Sequence, residues 1–292
     1  MKKGNLVKSS LSVILPGLIL FSFCCFKASA QQKYIGLQLY SIRDSIEKHV
    51  PGSIQKIAAM GYKFVEAAGY DNGKFYGLTP LEFKAVCEKN GLKFLSSHTG
   101  QPLPGSADMA KTMAWWDECI NAHAAAGVKY IVQPFMGDDA YGSIETLKKY
   151  CDYFNMIGEK CKAKGIRFGY HNHSGEFSKQ INGITVYDFM LKNTDPSKVM
   201  FELDLYWCVE GGKNPVDYFK KYPGRFELWH IKDLAEVGAS GKMNFASIWG
   251  AAAQSGMKYG IVEVEQYNFD EFTSCRKSLE FLNSQNYVVM PK

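Results

Sequence analysis

Four short segments end apolar runs with side chains that can bind a cation or move a proton: Tyr170-His171-Asn172-His173, Glu202-Leu203-Asp204-Leu205-Tyr206-Trp207, His230-Ile231-Lys232-Asp233 and Glu263-Val264-Glu265-Gln266. They recur about every thirty residues, the interval at which a repeated strand-helix unit returns the chain to the same face of a barrel. Residues two apart on a strand share a face, so His171 pairs with His173, Glu202 with Asp204, His230 with Lys232 and Glu263 with Glu265. If Leu203, Leu205 and Val264 turn outward, these polar groups all point into one mouth. Ionised carboxylates gathered in a poorly hydrated place are costly without a compensating cation. A divalent ion answers that cost. Carboxylates and imidazoles without a thiolate suit Mn²⁺, Co²⁺, Zn²⁺ or Mg²⁺, and the imidazoles weigh against a purely Mg²⁺ or Ca²⁺ site.

Plainer roles exist for the same residues. His171 and His173 could hydrogen-bond loop backbone, Asp204 could cap the following helix, and Glu202 could form a salt bridge one layer below the site. Asp233 has the opposite parity to His230 and Lys232, which assigns it to a loop or cap. Trp207 and Tyr206 could be packing residues, although aromatics beside a polar site also suit the apolar faces of sugar rings. Four consecutive segments ending this way argue for function. Gln38, Glu66, His98 and Gln133 close earlier apolar runs and are candidates for hydrogen bonds to substrate hydroxyls. His49 and His123 lie in helical stretches and read as surface or packing residues.

The elements that must position these groups alternate from Tyr34 onward. Apolar runs at 34–40, 63–68, 93–98, 129–134, 167–171, 199–205, 226–231 and 260–265 are separated by longer amphipathic segments. Thr79-Pro80 opens one of these as a helix and Asn90-Gly91 closes it, while Gly127, Gly165 and Gly256 punctuate in the same way. Eight strand-helix units predict a single (β/α)8 barrel over residues 31–292. An open doubly wound sheet is the rival, but no G-x-G-x-x-G follows the first strand.

Residues 1–30 carry Lys2, Lys3 and Lys8, an apolar stretch from Leu11 to Phe26, and Ala28-Ser29-Ala30 before Gln31, the layout of a cleaved secretory signal. The expectation is an exported, periplasmic protein beginning at Gln31, without a stable membrane anchor. Cys24 follows Phe23, a poor fit to lipid attachment. Setting aside the leader's four lysines lowers the formal charge from +5 to +1, leaving no basic stripe for nucleic acid. Cys87, Cys119, Cys151, Cys161, Cys208 and Cys275 are widely spaced and read as buried thiols on helices, although an oxidising compartment would permit a bridge. The sequence leaves the oligomeric state open.

At the segments YHNHSGEF (170–177), ELDLYW (202–207), GRFELWHIKD (224–233) and VEVEQ (262–266), the chain resembles the xylose isomerase-like TIM-barrel superfamily of sugar isomerases and epimerases, particularly its inosose dehydratase-like and keto-sugar branch. The likeness in repeat order extends from Tyr34 to the end. It implies one divalent ion held by a Glu, an Asp, a His and a second Glu from the fifth to eighth strands. Matched by motif, Asp204, His230 and Glu265 take the last three places. The fifth-strand Glu is missing; His171 or His173 stands near its place, with Glu176 more distant. Lys232 resembles the lysine of the family's H-x-K-D segment, and Glu265 or Lys232 is the candidate for proton transfer.

The chemistry so implied is removal of a proton next to a carbonyl to give a metal-stabilised enediolate, followed by epimerisation, isomerisation or elimination of a β-leaving group. The substrate is expected to be a small carbohydrate. Export and the absence of a Gly-rich anion cradle favour a neutral sugar or keto-sugar, including a 3-keto-glycoside for a lyase. Trp207 and Glu263 join Gln38, Glu66, His98 and Gln133 as substrate-binding candidates. An endonuclease-IV-like phosphodiesterase would need more ligands and a basic face. A catalytically silent sugar-binding barrel is the alternative of another class, because the missing fifth-strand Glu would suit a lost metal site.

Overall fold

A computed structural model describes Met1, Gly4 and Lys33–Pro291. The chain divides into two compact units, Met1–Ala30 and Gln31–Lys292. The expected secretory signal lies outside the described residues. Among the described residues, no helix is long and apolar enough to cross a membrane.

The second unit is built on eight parallel strands: β1 (Ile35–Gln38), β2 (Phe64–Ala67), β3 (Lys93–His98), β4 (Tyr130–Gln133), β5 (Arg167–His171), β6 (Val199–Asp204), β7 (Leu228–Ile231) and β8 (Tyr259–Val262). Each pairs with its neighbours in sequence, and β8 pairs with β1 to close the barrel. The main outer helices are α1 (Val50–Met60), α2 (Pro80–Lys89), α3 (Met109–Ala126), α4 (Ile144–Lys162), α5 (Val186–Asn193), α6 (Pro215–Lys221), α7 (Phe245–Gly250) and α8 (Glu271–Ser284). Local chemistry starts and stops them. Thr79 and Glu82 form a reciprocal capping box on α2, and His49 caps α1 by accepting the Gly52 N–H at Nδ1.

The barrel interior is layered. Its apolar floor contains Phe64, Leu95, Tyr130, Met200, Leu228 and Ile261. Two residues further along β2, β6, β7 and the chain leaving β8 stand Glu66, Glu202, His230 and Glu263. Two glycines make room for this floor: a Cβ on Gly36 would meet the Phe64 ring at 2.1 Å, and one on Gly169 would meet Met200 Cε at 2.3 Å.

Strand β3 contributes by breaking register. Val65 pairs with Phe94 but Glu66 pairs with Ser96, so one extra residue, Leu95, is accommodated. This bulge lets Leu95 join the floor and still turns Ser96 and His98 toward the polar layer.

The eighth strand is shorter than the expected 260–265 run. Its pairing ends at Val262, where the Val264 N–H turns to donate to Ser41 Oγ, leaving Glu263 and Glu265 just past the strand. Two small hairpins add to the expected elements, Tyr70–Asp71 with Lys74–Phe75 and Gln180–Ile181 with Ile184–Thr185. Their turns, Asn72-Gly73 and Asn182-Gly183, place both residues at positive φ, the conformation that makes Asn-Gly a hairpin signal.

The six cysteines of the barrel unit are free, buried and helical. His123 is also buried, on α3, where Nδ1 donates to the Cys119 carbonyl at 2.7 Å and Nε2 has no partner. Burial lowers its pKa to about 4. Because the unfolded imidazole takes up a proton near pH 6.5 and the folded one does not, this site's contribution is present above that pH and lost as pH falls toward 4. Replacing His123 with Phe should therefore flatten the acid loss of stability by about 3 kcal/mol between pH 7 and 4 in urea titrations. Parallel wild-type and His123→Phe curves would contradict this.

Candidate metal centre and active-site cavity

The polar layer consists of two overlapping sets of metal-ligating side chains. Within each, the donor atoms lie within 4.8 Å of one another: His98, His171, Glu202 and His230 in the deeper set, and His171, Asp204, His230 and Glu263 in the upper. The upper set takes one residue from near the end of each of β5, β6 and β7 and one from just past β8. The register explains the meeting, since His171 lies beside Glu202 and Asp204 lies beside His230 on adjacent strands.

Hydrogen bonding separates the two sets. In the deeper one, His98 Nε2 lies 2.6 Å from Glu202 Oε2, and His230 Nε2 lies 2.8 Å from Glu66 Oε1. In the upper one, Asp204 Oδ2, His171 Nδ1 and His230 Nδ1 are buried without hydrogen-bond partners. Buried polar atoms are seldom left unpaired. Their neighbours are a carboxylate and imidazoles, so the upper set fits a divalent cation and the deeper set fits the role of its support.

Burial and charge set the protonation pattern. Desolvation pushes the Asp204 and Glu202 carboxyls up to about 7, while burial drives His171 well below the usual imidazole range and His173 to about 4. Burial would also raise Glu263, but His230 and Lys232 outweigh it and hold Glu263 well below the ordinary carboxylate range. Burial would lower Lys232; Glu263, Asp204 and Glu265 reverse that and push it up to about 12. Lys232 is thus a charged donor, bonded to Glu263 Oε2 at 2.9 Å and to Glu265 Oε1 at 2.7 Å.

Above these groups lies a cavity of about 440 Å³, bordered by His98, His171, His173, Glu263 and Glu265 on its polar side and by Tyr40, Tyr70 and Phe135 on its aromatic side. Glu265 reaches it, with 29% of its side chain exposed. His173 also borders it, 5.0 Å from the His171 ring between centroids, but neither Glu265 nor His173 belongs to the two converging sets.

The remaining candidates are distributed by depth. Gln38 and Glu66 are fully buried and bond each other at 2.7 Å, beneath the cavity rather than along it. Gln133 donates to the carbonyls of Gln101 and Phe135 and so ties two loops together. Trp207 lies 5.3 Å from Lys232 Nζ across its ring face. Asp204 Oδ1 caps the short Leu205–Glu210 helix through the Trp207 N–H, leaving Oδ2 free. Asp233 organises the next loop, accepting from the Leu234 and Gly238 N–H groups. Glu176 is engaged by Tyr170 Oη at 2.6 Å and by the His173 N–H at 3.0 Å.

Asn172 and Ser96 were missed as site residues. Asn172 accepts the Asp204 N–H at 3.1 Å and donates to the Asp204 carbonyl at 3.3 Å, locking β5 to β6 at the ligand positions. Its position between His171 and His173 was the available signal. Ser96 donates to Glu66 at 2.5 Å, a contact that depends on the β3 bulge and had no sequence signal.

The barrel places the chain in a known family. The chain belongs to the xylose isomerase-like TIM barrel family, whose model matches residues 54–285. A sugar phosphate isomerase/epimerase from Parabacteroides distasonis is 36% identical, with a TM-score of 0.82 over 88% of this chain and 100% of the other. An inosose dehydratase from Clostridium beijerinckii is 31% identical over 94 residues, 32% of this chain and 30% of the relative. One from Geobacillus kaustophilus is 22% identical over 198 residues, 62% of this chain and 61% of the relative. The matches thus span less than two thirds of these curated relatives. The IOLI protein with a bound zinc atom shares the fold at a TM-score of 0.65 and 13% identity, over 88% of this chain and 98% of the other.

Removing Lys232 would leave Glu263 facing Glu265 with no cation between them. Lys232→Met should lower stability in urea by about 3 kcal/mol, with part recovered by adding Glu263→Gln. An unchanged unfolding midpoint would show that the ion pairs do not stabilise the fold.

Proposed function

We propose that the chain is an exported, divalent-metal-dependent enzyme that removes a proton from the carbon next to the carbonyl of a neutral sugar or keto-sugar and returns it as an isomerase or epimerase does. The observation that carries this reading is the convergence of His171, Asp204, His230 and Glu263 beside the Lys232–Glu265 pair at a 440 Å³ cavity. Export is supported by the layout of the first thirty residues.

His171, Asp204, His230 and Glu263 would hold the ion, and their nitrogen and oxygen donors suit Mn²⁺, Co²⁺, Zn²⁺ or Mg²⁺. Bound there, a divalent cation supplies Lewis-acid polarisation of a substrate carbonyl and its neighbouring hydroxyl. Glu265 is the base in this scheme, since it borders the cavity and stands outside the converging donor sets. Lys232, charged and bonded to Glu265, orients that carboxylate and donates a proton or hydrogen bond to oxygen. His98 and His173 line the cavity as neighbours for substrate hydroxyls, and the aromatic side accommodates the apolar face of a sugar ring.

A second reading begins with the same proton removal and ends with expulsion of a group from the next carbon, making the enzyme a lyase on keto-glycosides. It is favoured by the inosose dehydratases among the relatives, whose reaction is named as a dehydration. A silent sugar-binding barrel is disfavoured because it gives no role to the unpaired buried donors.

Proton NMR in D₂O with Zn²⁺ or Mg²⁺, neutral keto-sugars and a 3-keto-glucoside distinguishes these outcomes. Deuterium should enter next to the carbonyl together with an epimer, isomer or unsaturated product. Asp204→Ala and His230→Ala should each lower kcat/KM by more than about 100-fold, beyond the usual effect of losing a supporting contact. No exchange with any of these metals and sugars would overturn the proposal.

A further inference from the structure

Glu66 comes from β2, on the side of the barrel that contributes nothing to the upper ligand set, yet it reaches a residue 164 positions away. It is fully buried, so no substrate in the cavity touches it. Its oxygens face four groups: Gln38 Nε2 at 2.7 Å, His230 Nε2 at 2.8 Å and His98 Nε2 at 3.2 Å on Oε1, and Ser96 Oγ at 2.5 Å on Oε2. Gln38 is itself held, because its Oε1 accepts the Tyr40 N–H at 3.1 Å. Glu66 is therefore a fixed acceptor rather than a mobile side chain.

An ionised carboxylate only accepts, so the nitrogen facing it must carry a proton. In a neutral imidazole the other nitrogen then has the free lone pair. Here Nε2 faces Glu66 Oε1 at 2.8 Å, with Glu202 Oε2 farther off at 3.3 Å, while Nδ1 lies 3.4 Å from Glu263 Oε2 without a hydrogen bond.

We propose that Glu66 is a positioning residue that pins His230 as its Nε2–H tautomer and thereby presents Nδ1 to the cation site formed with His171, Asp204 and Glu263. The inference rests on the metal-binding reading above and adds to it which atom binds and what decides the choice. The contact also explains why a carboxylate with no access to substrate lies at the centre of the barrel. Gln38 and Ser96 hold it there, so three strands outside the upper ligand set contribute to it through one hydrogen-bonded carboxylate.

The test reads nitrogen identity directly. Long-range ¹H–¹⁵N NMR of ¹⁵N-histidine-labelled protein with saturating Zn²⁺ should show His230 ligated at Nδ1 and protonated at Nε2. Ligation at Nε2 would overturn the inference while leaving the metal site intact, whereas no Zn²⁺ binding would overturn the metal reading itself. By calorimetry, Glu66→Met should weaken Zn²⁺ binding about 10- to 100-fold, and Glu66→Gln, which keeps an oxygen toward His230, should restore much of it. Folded Glu66→Met with wild-type affinity and an unchanged His230 spectrum would also reject the role. If Glu66→Met does not fold, the wild-type spectrum still decides.

Discussion

Everything at the top of this barrel is arranged around the cost of bringing carboxylates together away from water. Glu66, Glu202, Asp204 and Glu263 are all buried within the reach of a few side chains, and Glu265 stands at the edge. Left to themselves they would repel and protonate. Two features of the protein offset this. Imidazoles alternate with carboxylates in the deeper layer, and Lys232 bridges the pair that follows β8. In one region hydrogen bonding is incomplete: Asp204 Oδ2, His171 Nδ1 and His230 Nδ1 have no hydrogen-bond partner. Those unpaired donor atoms are the physical basis of the cation proposed there.

Closure of the sheet makes the arrangement possible. A closed parallel barrel brings β2 and β3 opposite β6 and β7, so Glu66 meets His230 and His98 meets Glu202. The apolar floor below excludes water and sets the height of the polar layer. Phe64 and Met200 can fill that floor only because Gly36 and Gly169 have no side chains. Packing deep in the barrel thus controls the height at which the chemistry takes place.

Much of the site was legible from strand parity. Alternation put Glu263 with Glu265 and His230 with Lys232; Lys232 touches both glutamates, but all three lie just past their strands, and only Glu263 joins the converging donors. The same rule set Asp233 aside as a loop residue, where it accepts from backbone N–H groups. Repeat order and strand number carried the fold. What escaped was whatever depended on closure or local irregularity. Periodicity gave no sign of the β3 bulge, so the role of Ser96 was invisible, and Gln38 and Glu66 looked like cavity residues because depth along a strand shifts by two residues from one layer to the next. The Asn-Gly turns at 72–73 and 182–183 do carry a local hairpin signal, but their strands are only two residues long and show no alternation.

The donor that β5 brings to the proposed cation site is an imidazole, His171, beside the donors of the next three strands. With two imidazoles and two carboxylates the proposed set would be weighted toward nitrogen, a composition that favours later divalent metals over Mg²⁺. The most direct test of this account is anomalous diffraction at the zinc edge from crystals of the barrel grown with Zn²⁺. The account predicts one peak enclosed by His171, Asp204, His230 and Glu263. A peak bound instead by His98 and Glu202, or no peak, would contradict it.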